Sequence, residues 1–282
     1  MSPQPKPNLK PKPVPPDDPR LIALAGLLGV VDRLRGEGGC PWDLEQTPTS
    51  FAPALIEEAF EAVEAVEAGD ERAQTEELGD VAASLVLLAR ILEQAGRGGL
   101  AQAADAATDK LVRRHPHVFG EGAKSTSGEV LESWEAIKKR EREGRGEDAS
   151  ALSGVPKALP GLQRAQRLGS KAMAAGFRWP DVRGAADKLR EELAELEEAG
   201  ALAKSGPARQ AELEHELGDL LLAGAQFANY EGLDAEACVR AAARRFEARY
   251  RALEQSLGGS LEGRSLDEMM NAWKRAKADP KT

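Results

Sequence analysis

Apolar residues recur at helical spacing through most of this chain. From Leu21 onward, runs rich in Ala, Leu, Glu and Arg place apolar residues three and four positions apart. That spacing is typical of amphipathic helices, and the strings of β-branched or aromatic residues that favour strands are few. We therefore predict an all-α fold. The predicted helices lie at about 20–35, 49–68, 71–95, 100–114 and 128–143, and then at about 162–175, 181–203, 207–230, 234–257 and 265–278.

Two segments interrupt the helical pattern. Residues 1–19 are dense in proline, which can neither propagate a helix nor complete a core, so we predict a disordered or polyproline-like tail. Residues 144–161 are punctuated by glycine and proline and predict a linker. The resulting organisation has one helical domain at 20–143 and another at 162–282.

The second half of the chain repeats the first. Trp42 and Trp134 correspond to Trp179 and Trp273, which lie 137 and 139 positions later. Two acidic motifs repeat at similar offsets: "EEAFE" (57–61) becomes "EELAE" (191–195), and "EELGD" (76–80) becomes "HELGD" (215–219). A nearly constant offset for so many rare or charged residues indicates a duplicated helical domain.

The acidic motifs place like charges on one side of a helix. Glu57, Glu58 and Glu61 fall within an arc of about 100°, and Asp80 shares a stripe with Ser84 and more apolar residues, so we expect Asp80 to point inward. In a partly buried site, carboxylates about 5 Å apart repel by roughly 3 kcal/mol. Mg²⁺ or Mn²⁺ would offset that repulsion, whereas the lack of a matching His/Cys set argues against zinc.

A single acidic motif of this kind is usually a solvated helix face. Repetition of both motifs in both halves favours a metal site over that alternative. Two further patterns are weaker: "ELEH" (212–215) has the spacing of a di-iron ligand pair, and "HPHVF" (115–119) is interpreted as a turn at a helix end. Cys40 is predicted to be a buried apolar side chain.

Basic and aromatic residues follow the acids at matched distances. Lys110 and Arg114 are four residues apart, as are Trp134 and Lys138, so each pair occupies one helix face. If a metal binds the carboxylates, its open positions invite phosphate oxygens, and these cations would supply the remaining charge. An indole beside a phosphate-binding lysine could stack on a base, with core packing as the alternative. The counterparts in the second half are Arg245, Arg249, Trp273 and Lys277.

Composition narrows the class of protein. The chain has 282 residues, is 41% apolar and carries a formal net charge of −9, which argues against a dedicated nucleic-acid partner. Its two cysteines, and the lack of an apolar run of about 18 to 20 residues, predict a cytoplasmic protein without a membrane anchor.

These residues resemble the MazG nucleoside triphosphate pyrophosphohydrolases. The resemblance rests on "LRGEGGCPWDLEQT" (34–47), "EEAFE" followed by "ELGD", "DKLVRRHPHVF" (109–119) and "SWEAIKKRE" (133–141), and it extends from about Leu21 to Lys277. It implies two tandem MazG-like domains with the all-α pyrophosphatase fold, Mg²⁺ dependence and homodimers. It also implies hydrolysis of nucleoside triphosphates to monophosphate and pyrophosphate, in house-cleaning or regulation of the nucleotide pool.

The resemblance also implies a role for each matching residue. Glu57 and Glu191 resemble water-activating or supporting acids. The implied metal ligands are Glu58, Glu61, Glu77, Asp80, Glu192, Glu195, Glu216 and Asp219. The implied nucleotide contacts are Lys110, Arg114, Trp134, Lys138, Arg245, Arg249, Trp273 and Lys277. A regulatory nucleotide-binding module without turnover remains the alternative function, and a helical scaffold without a ligand is a third.

The sequence further favours the first half as the principal catalyst. Lys110 is a more compact cation than Arg245. The first half also has polar groups that we expect near the start of the acidic helix, at Asp43, Glu45, Gln46 and Thr47.

Overall fold

The computed structural model describes residues 13–120, 126–144, 148, 150–201 and 206–278. Within these ranges the chain forms helices and no strands, which confirms the all-α prediction. The helices are α1 Pro19–Leu34, α2 Pro41–Glu45, α3 Pro48–Ala68, α4 Glu71–Gln94, α5 Leu100–Arg114, α6 Pro116–Phe119, α7 Ser127–Gly144, α8 Gly161–Ala174, α9 Val182–Ala201, α10 Pro207–Glu231, α11 Ala235–Ser256 and α12 Leu266–Ala278.

The ten long helices lie close to their predicted positions, and two short helices were not predicted. α2 and α6 span five and four residues, too few for an apolar period to appear in the sequence. Each begins with a proline at its first position, where the missing N–H costs no helical hydrogen bond. The "HPHVF" motif therefore contains a helical turn, with His115 between α5 and α6.

The helices divide into two compact units, Met1–Glu141 and Arg142–Thr282, called here the first and second unit. Most of the predicted tail, residues 1–12, lies outside the described residues, as do residues 145–147 and 149 of the predicted linker. The exact domain boundaries at 20–143 and 162–282 stay a prediction.

The first unit is built on a helical hairpin. α3 ends at Ala68 and is followed by Gly69, which adopts φ +72°. Asp70 then caps α4 by accepting hydrogen bonds from the backbone N–H groups of residues 72 and 73. This two-residue connection makes α3 and α4 antiparallel neighbours, and α1 packs on α4. The core where they meet consists of Val31, Phe51, Val86, Leu87 and Ile91.

The second unit repeats this arrangement with smaller core residues. α9 packs along α10, and α8 covers another face of α10. The approach of α8 to α10 is close at Gly169, where a Cβ atom would lie 2.9 Å from Asn229 Nδ2. The core is formed by Ala225, Ala228 and Ala235, while α11 packs chiefly against α12.

None of the described helices combines the length and the apolar character that a membrane crossing requires.

Ile91 is expected to be a major contributor to the stability of the first unit. Its side chain is 2% exposed, so Ile91→Ala should lower the free energy of unfolding by about 2 to 5 kcal/mol through lost burial and the cavity left behind. Ile22 is 60% exposed, and Ile22→Ala provides the matched control, with an expected change within about 0.5 kcal/mol. Urea unfolding measures both, and equal losses would contradict the assigned core.

Candidate metal centres

Three carboxylates of the first unit meet across the α3–α4 hairpin. Oxygen atoms of Glu58, Glu77 and Asp80 all lie within 4.8 Å of one another. The meeting follows from the sequence, because residues 58 and 80 lie at equal distances from the turn residue 69, and so do residues 61 and 77. In an antiparallel hairpin, residues equidistant from the turn lie at the same level. We call this group the first acid cluster.

The second unit forms an equivalent group, the second acid cluster. Oxygen atoms of Glu192, Glu216 and Asp219 also lie within 4.8 Å of one another. Five more residues separate its two motifs, because five residues instead of two lie between the helices, nine residues of α10 precede Glu216 where six of α4 precede Glu77, and α9 ends one residue sooner after its motif than α3 does. The longer connection therefore leaves the meeting of the acids intact.

The fourth acid of each set lies beside its cluster without belonging to the tightest group. The pKa of Glu58 is raised above its ordinary value by desolvation and then by the charges of Glu61 and Asp80. Desolvation and Glu61 likewise raise the pKa of Glu77. In the second unit, desolvation and the nearby Glu192 raise the pKa of Glu195.

Burial differs between the two clusters. Glu192 is buried, whereas Glu58 and Glu77 are half-buried and Asp80 is exposed. The expectation that Asp80 points inward was wrong, because burial along its stripe begins one turn later at Ser84. Asp80 is thus a solvent-exposed member of the first acid cluster.

The donor set of both clusters fits a hard divalent cation. All the converging atoms are carboxylate oxygens, which suit Mg²⁺ and Mn²⁺ better than softer metals. Desolvation, followed by the charge of neighbouring acids, raises the pKa values of Glu58 and Glu77, so a bound cation would stabilise the ionised carboxylates. Both acid clusters can therefore hold a metal ion.

A lysine that the sequence interpretation missed lies on the second acid cluster. Lys188 Nζ is 2.6 Å from a carboxylate oxygen of Glu192 and 2.7 Å from one of Glu191, and these contacts raise the lysine pKa. Ala54 occupies the equivalent position of the first half. The signal was present in the sequence, because Lys188 precedes Glu192 by four residues and so shares its helix face.

The two predicted water-activating acids lie in different surroundings. Glu57 is exposed on α3 beside Glu58. Glu191 is also exposed but is held by the ion pair with Lys188.

The predicted nucleotide contacts of the first unit lie on α5 and α7. Arg114 donates from Nε and Nη2 to one oxygen of Glu141, and Arg113 donates from Nε to the other oxygen. Lys110 is exposed one turn before Arg114, and Lys138 is half-buried on α7. The indole of Trp134 packs edge-on against His115 with ring centroids 4.9 Å apart.

The corresponding residues of the second unit lie on α11 and α12. Trp273 packs against Phe246 with ring centroids 5.3 Å apart. Arg249 Nε is buried, and no acceptor for it is found among the described residues. Arg245 and Lys277 are both exposed. In each unit, acids and basic residues therefore come from different helices.

The polar residues that precede α3 have a local structural role. Thr47 and Ser50 form a capping box, and Ser50 Oγ also donates to Gln46 Oε1. Asp43 is buried and its carbonyl oxygen accepts from Arg35. α3 starts at Pro48, so its first residue lies about 15 Å along the helix from Glu58. Thr47 and Ser50 therefore complete the helix start and do not extend the acid cluster.

The remaining sequence candidates are distributed as follows. Cys40 is half-buried, so the prediction of a buried side chain was wrong. His215 of "ELEH" lies 3.5 Å from Asp219 and thus borders the second acid cluster.

Comparison with known proteins places these features in a family. Residues 46–119 match the MazG nucleotide pyrophosphohydrolase domain. The nucleoside triphosphate pyrophosphohydrolase of Escherichia coli K12 is 37% identical over 255 residues, which cover 89% of this chain and 95% of that protein. The chain belongs to the MazG family. The resemblance drawn from its motifs is thereby confirmed.

Two further relatives differ in coverage. The nucleoside triphosphate pyrophosphohydrolase/pyrophosphatase MazG of Thermotoga maritima is 33% identical over 93% of this chain and 98% of its own length. The nucleoside triphosphate pyrophosphohydrolase of Mycolicibacterium smegmatis is 35% identical over 55% of this chain and 47% of its own length. The MazG domain match includes all the acids of the first cluster, together with Lys110 and Arg114.

Neutralising one acid should stabilise the metal-free protein and weaken metal binding. Because the pKa of Glu77 is raised above the ordinary value of 4.5, its ionised form opposes folding, and the stability present at low pH is lost as pH rises through the folded-state pKa. Glu77→Gln should therefore raise the melting temperature at pH 7 in EDTA, with the gain disappearing below about pH 4.

The same variant should lose part of the melting-temperature increase that millimolar Mg²⁺ gives the unaltered chain. Glu64→Gln removes an exposed carboxylate from the same hairpin and should leave that increase intact. Thermal unfolding with EDTA, Mg²⁺ and ionic-strength-matched Na⁺ measures both effects. An undiminished Mg²⁺ shift in Glu77→Gln would count against the cluster as a metal site.

Proposed function

We propose that the protein hydrolyses nucleoside triphosphates to the monophosphate and pyrophosphate, with Mg²⁺ as metal and Mn²⁺ as a possible substitute. The observation that supports this most strongly is the convergence of three carboxylates in each of two repeated hairpins. Membership of the MazG family supports the reaction class. We further propose a cytoplasmic role in house-cleaning or regulation of the nucleotide pool, without a nucleic-acid partner.

The metal would be held by Glu58, Glu61, Glu77 and Asp80 in the first unit. In the second unit it would be held by Glu192, Glu195, Glu216 and Asp219. A bound divalent ion polarises phosphoryl oxygens and neutralises charge on departing pyrophosphate. The acids themselves fix its position, because they come from two helices joined by a short connection and cannot separate without opening the hairpin.

Glu57 and Glu191 are proposed to accept the proton of the attacking water. The water oxygen forms a bond to the α-phosphorus while the bond from that phosphorus to the bridging oxygen breaks, and pyrophosphate carries away the electron pair. A carboxylate beside the metal ligands is suited to this role because it can remain an acceptor while its neighbours bind the ion.

The basic and aromatic residues are proposed to bind the rest of the nucleotide. Lys110, Arg114 and Lys138 would contact phosphate oxygens in the first unit, with Arg245, Arg249 and Lys277 in the second. Trp134 and Trp273 would lie against the base. Lys188 adds a cation that can turn from Glu191 and Glu192 to a phosphate when a metal occupies the carboxylates.

The reaction is tested by its products. Incubation with a deoxynucleoside triphosphate and Mg²⁺ should release pyrophosphate and monophosphate in equal amounts, and EDTA should stop the release. Combining Glu77→Gln with Glu216→Gln should reduce the rate at least about 100-fold, because each cluster loses a charged ligand. Glu64→Gln serves as control. Nucleotide binding without turnover would support the regulatory-module alternative, and diphosphate with orthophosphate as first products would contradict the assignment.

A homodimer is proposed from the exposed face of the first hairpin. Ile56, Phe60 and Val63 lie at helical spacing on the side of α3 opposite Glu58 and Glu61, and all three are exposed. An apolar stripe on a helical pair is expected to pack against a second pair, as in a four-helix bundle. A second copy of this chain offers the same stripe and can form a symmetric interface with it.

Light scattering should therefore give a mass of about twice 30.1 kDa for the unaltered chain. Phe60→Asp with Val63→Asp should shift the mass toward 30.1 kDa, because the dimer would bury two charges per copy. Leu152→Asp changes an exposed apolar residue outside the hairpin and should leave the mass unchanged. A mass of 30.1 kDa for the unaltered chain would contradict the homodimer.

A further inference from the structure

An arginine at equivalent positions of the two units has different hydrogen-bond partners. Arg114 and Arg249 occupy matching positions of the repeat, 135 residues apart. Arg114 Nη2 lies 2.6 Å from Glu141, and Arg114 Nε lies 3.1 Å from the same carboxylate oxygen. Arg249 Nε is buried and has no acceptor among the described residues. Arg114 is thus engaged by a carboxylate, whereas no such contact is found for Arg249 Nε among the described residues.

The Glu141 carboxylate holds two arginines at once. Its second oxygen accepts from Arg113 Nε at 2.7 Å, and only 12% of the Glu141 side chain is exposed. Hydrogen bonds from Arg114, followed by those from Arg113, lower the Glu141 pKa to about 2. The carboxylate therefore remains ionised throughout the neutral range, and protonation does not release either arginine there.

The second half lacks both components of this contact. Positions 248 and 280, which correspond to Arg113 and Glu141, hold alanine and proline. Neither residue can form an ion pair. The three-residue contact of Arg113, Arg114 and Glu141 is therefore a property of the first half, and duplication of the domain does not by itself produce it.

We propose that Glu141 competes with substrate phosphate for Arg114 and so lowers the affinity of the first unit for nucleoside triphosphate relative to the second. This inference rests on the proposed function, because it takes Arg114 as a phosphate contact. A phosphate that binds Arg114 must displace or share a carboxylate already in place. The displaced carboxylate is largely buried and would lose one of its two arginine partners, which opposes binding.

This proposal reverses the ranking of the halves that the sequence favoured. The polar residues before α3 cap that helix, and Arg114 is engaged by Glu141. Glu141 is thus a residue that determines which unit receives the substrate, without contacting the reacting atoms.

The test isolates the first unit within the full chain. Glu192→Ala with Glu195→Ala disables the second acid cluster, and Glu141→Gln is then added. Binding of a non-hydrolysable α,β-methylene nucleoside triphosphate with Mg²⁺ is measured by calorimetry. The dissociation constant should fall about three- to tenfold, because one competing charge-assisted contact is removed at a partly exposed site. In turnover assays KM should fall while kcat changes much less.

Three variants control this measurement. Arg113→Ala leaves Glu141 to Arg114 alone and should weaken nucleotide binding, opposite in direction to Glu141→Gln. Glu93→Gln removes a carboxylate from another arginine pair, Arg90–Glu93 at 2.6 Å, and should leave binding unchanged. In the converse background, Glu58→Ala with Glu61→Ala, Glu141→Gln should also have no effect. Thermal unfolding verifies that each variant is folded.

An unchanged or larger dissociation constant in Glu141→Gln would overturn the proposal, as would the absence of binding both with and without this change. Failure of the proposed function can be distinguished from failure of the Glu141 proposal, because the proposed function is tested on the unaltered chain. If that chain binds the analogue but releases no pyrophosphate from a substrate, the reaction assignment fails. The binding comparison still tests Glu141 in that case.

Discussion

Mutual repulsion of carboxylates is the constraint on which both halves of this protein depend. Each unit brings acidic side chains from two helices into a space where their oxygen atoms lie within 4.8 Å of one another. Solvent does not fully screen this repulsion, because desolvation and neighbouring charge raise the pKa values of Glu58 and Glu77. The hairpin fold must supply enough packing energy to hold these groups together.

Helix caps and core packing close to each hairpin supply this stabilisation. In the first unit, capping groups define both ends of the turn region, and a core centred on Ile91 fastens α1 to the hairpin. In the second unit, alanine and glycine permit a close approach of α8 to α10, which holds the hairpin from one side. In both units the core contacts lie farther from the turn than the acids do, along the same helices. The packing that stabilises each hairpin and the acids that can hold a metal therefore occupy different parts of it.

The two units of this MazG protein share a helical hairpin that carries the acids, but they differ in charge balance. Lys188 supplies a cation to the second acid cluster, and Glu141 neutralises two cations of the first unit. Lys188 is itself paired with Glu191 and Glu192, so our proposal that the second unit is more attractive to a polyphosphate rests on the engagement of Arg114 by Glu141. Duplication of a helical domain therefore need not give two equal sites, because a few ion pairs can separate their affinities without changing the fold.

The sequence by itself determined the helices, the repeat and the acids that would meet. Helical periodicity is local, and the symmetric placement of residues 58, 61, 77 and 80 about Gly69 specifies which carboxylates lie level once the chain turns back. Short helices such as α2 escaped prediction because they contain little more than one period. Lys188 could have been predicted, since its spacing from Glu192 is also local.

Only the tertiary structure decided burial and the contacts between distant helices. The exposure of Asp80 depends on where packing against neighbouring helices begins, which no single helix specifies. The ion pair of Arg114 with Glu141 joins residues 27 positions apart, across a segment that includes α6 and part of α7. Its formation depends on the angle at which α7 returns to α5. Periodicity along a single helix carries no information about that angle.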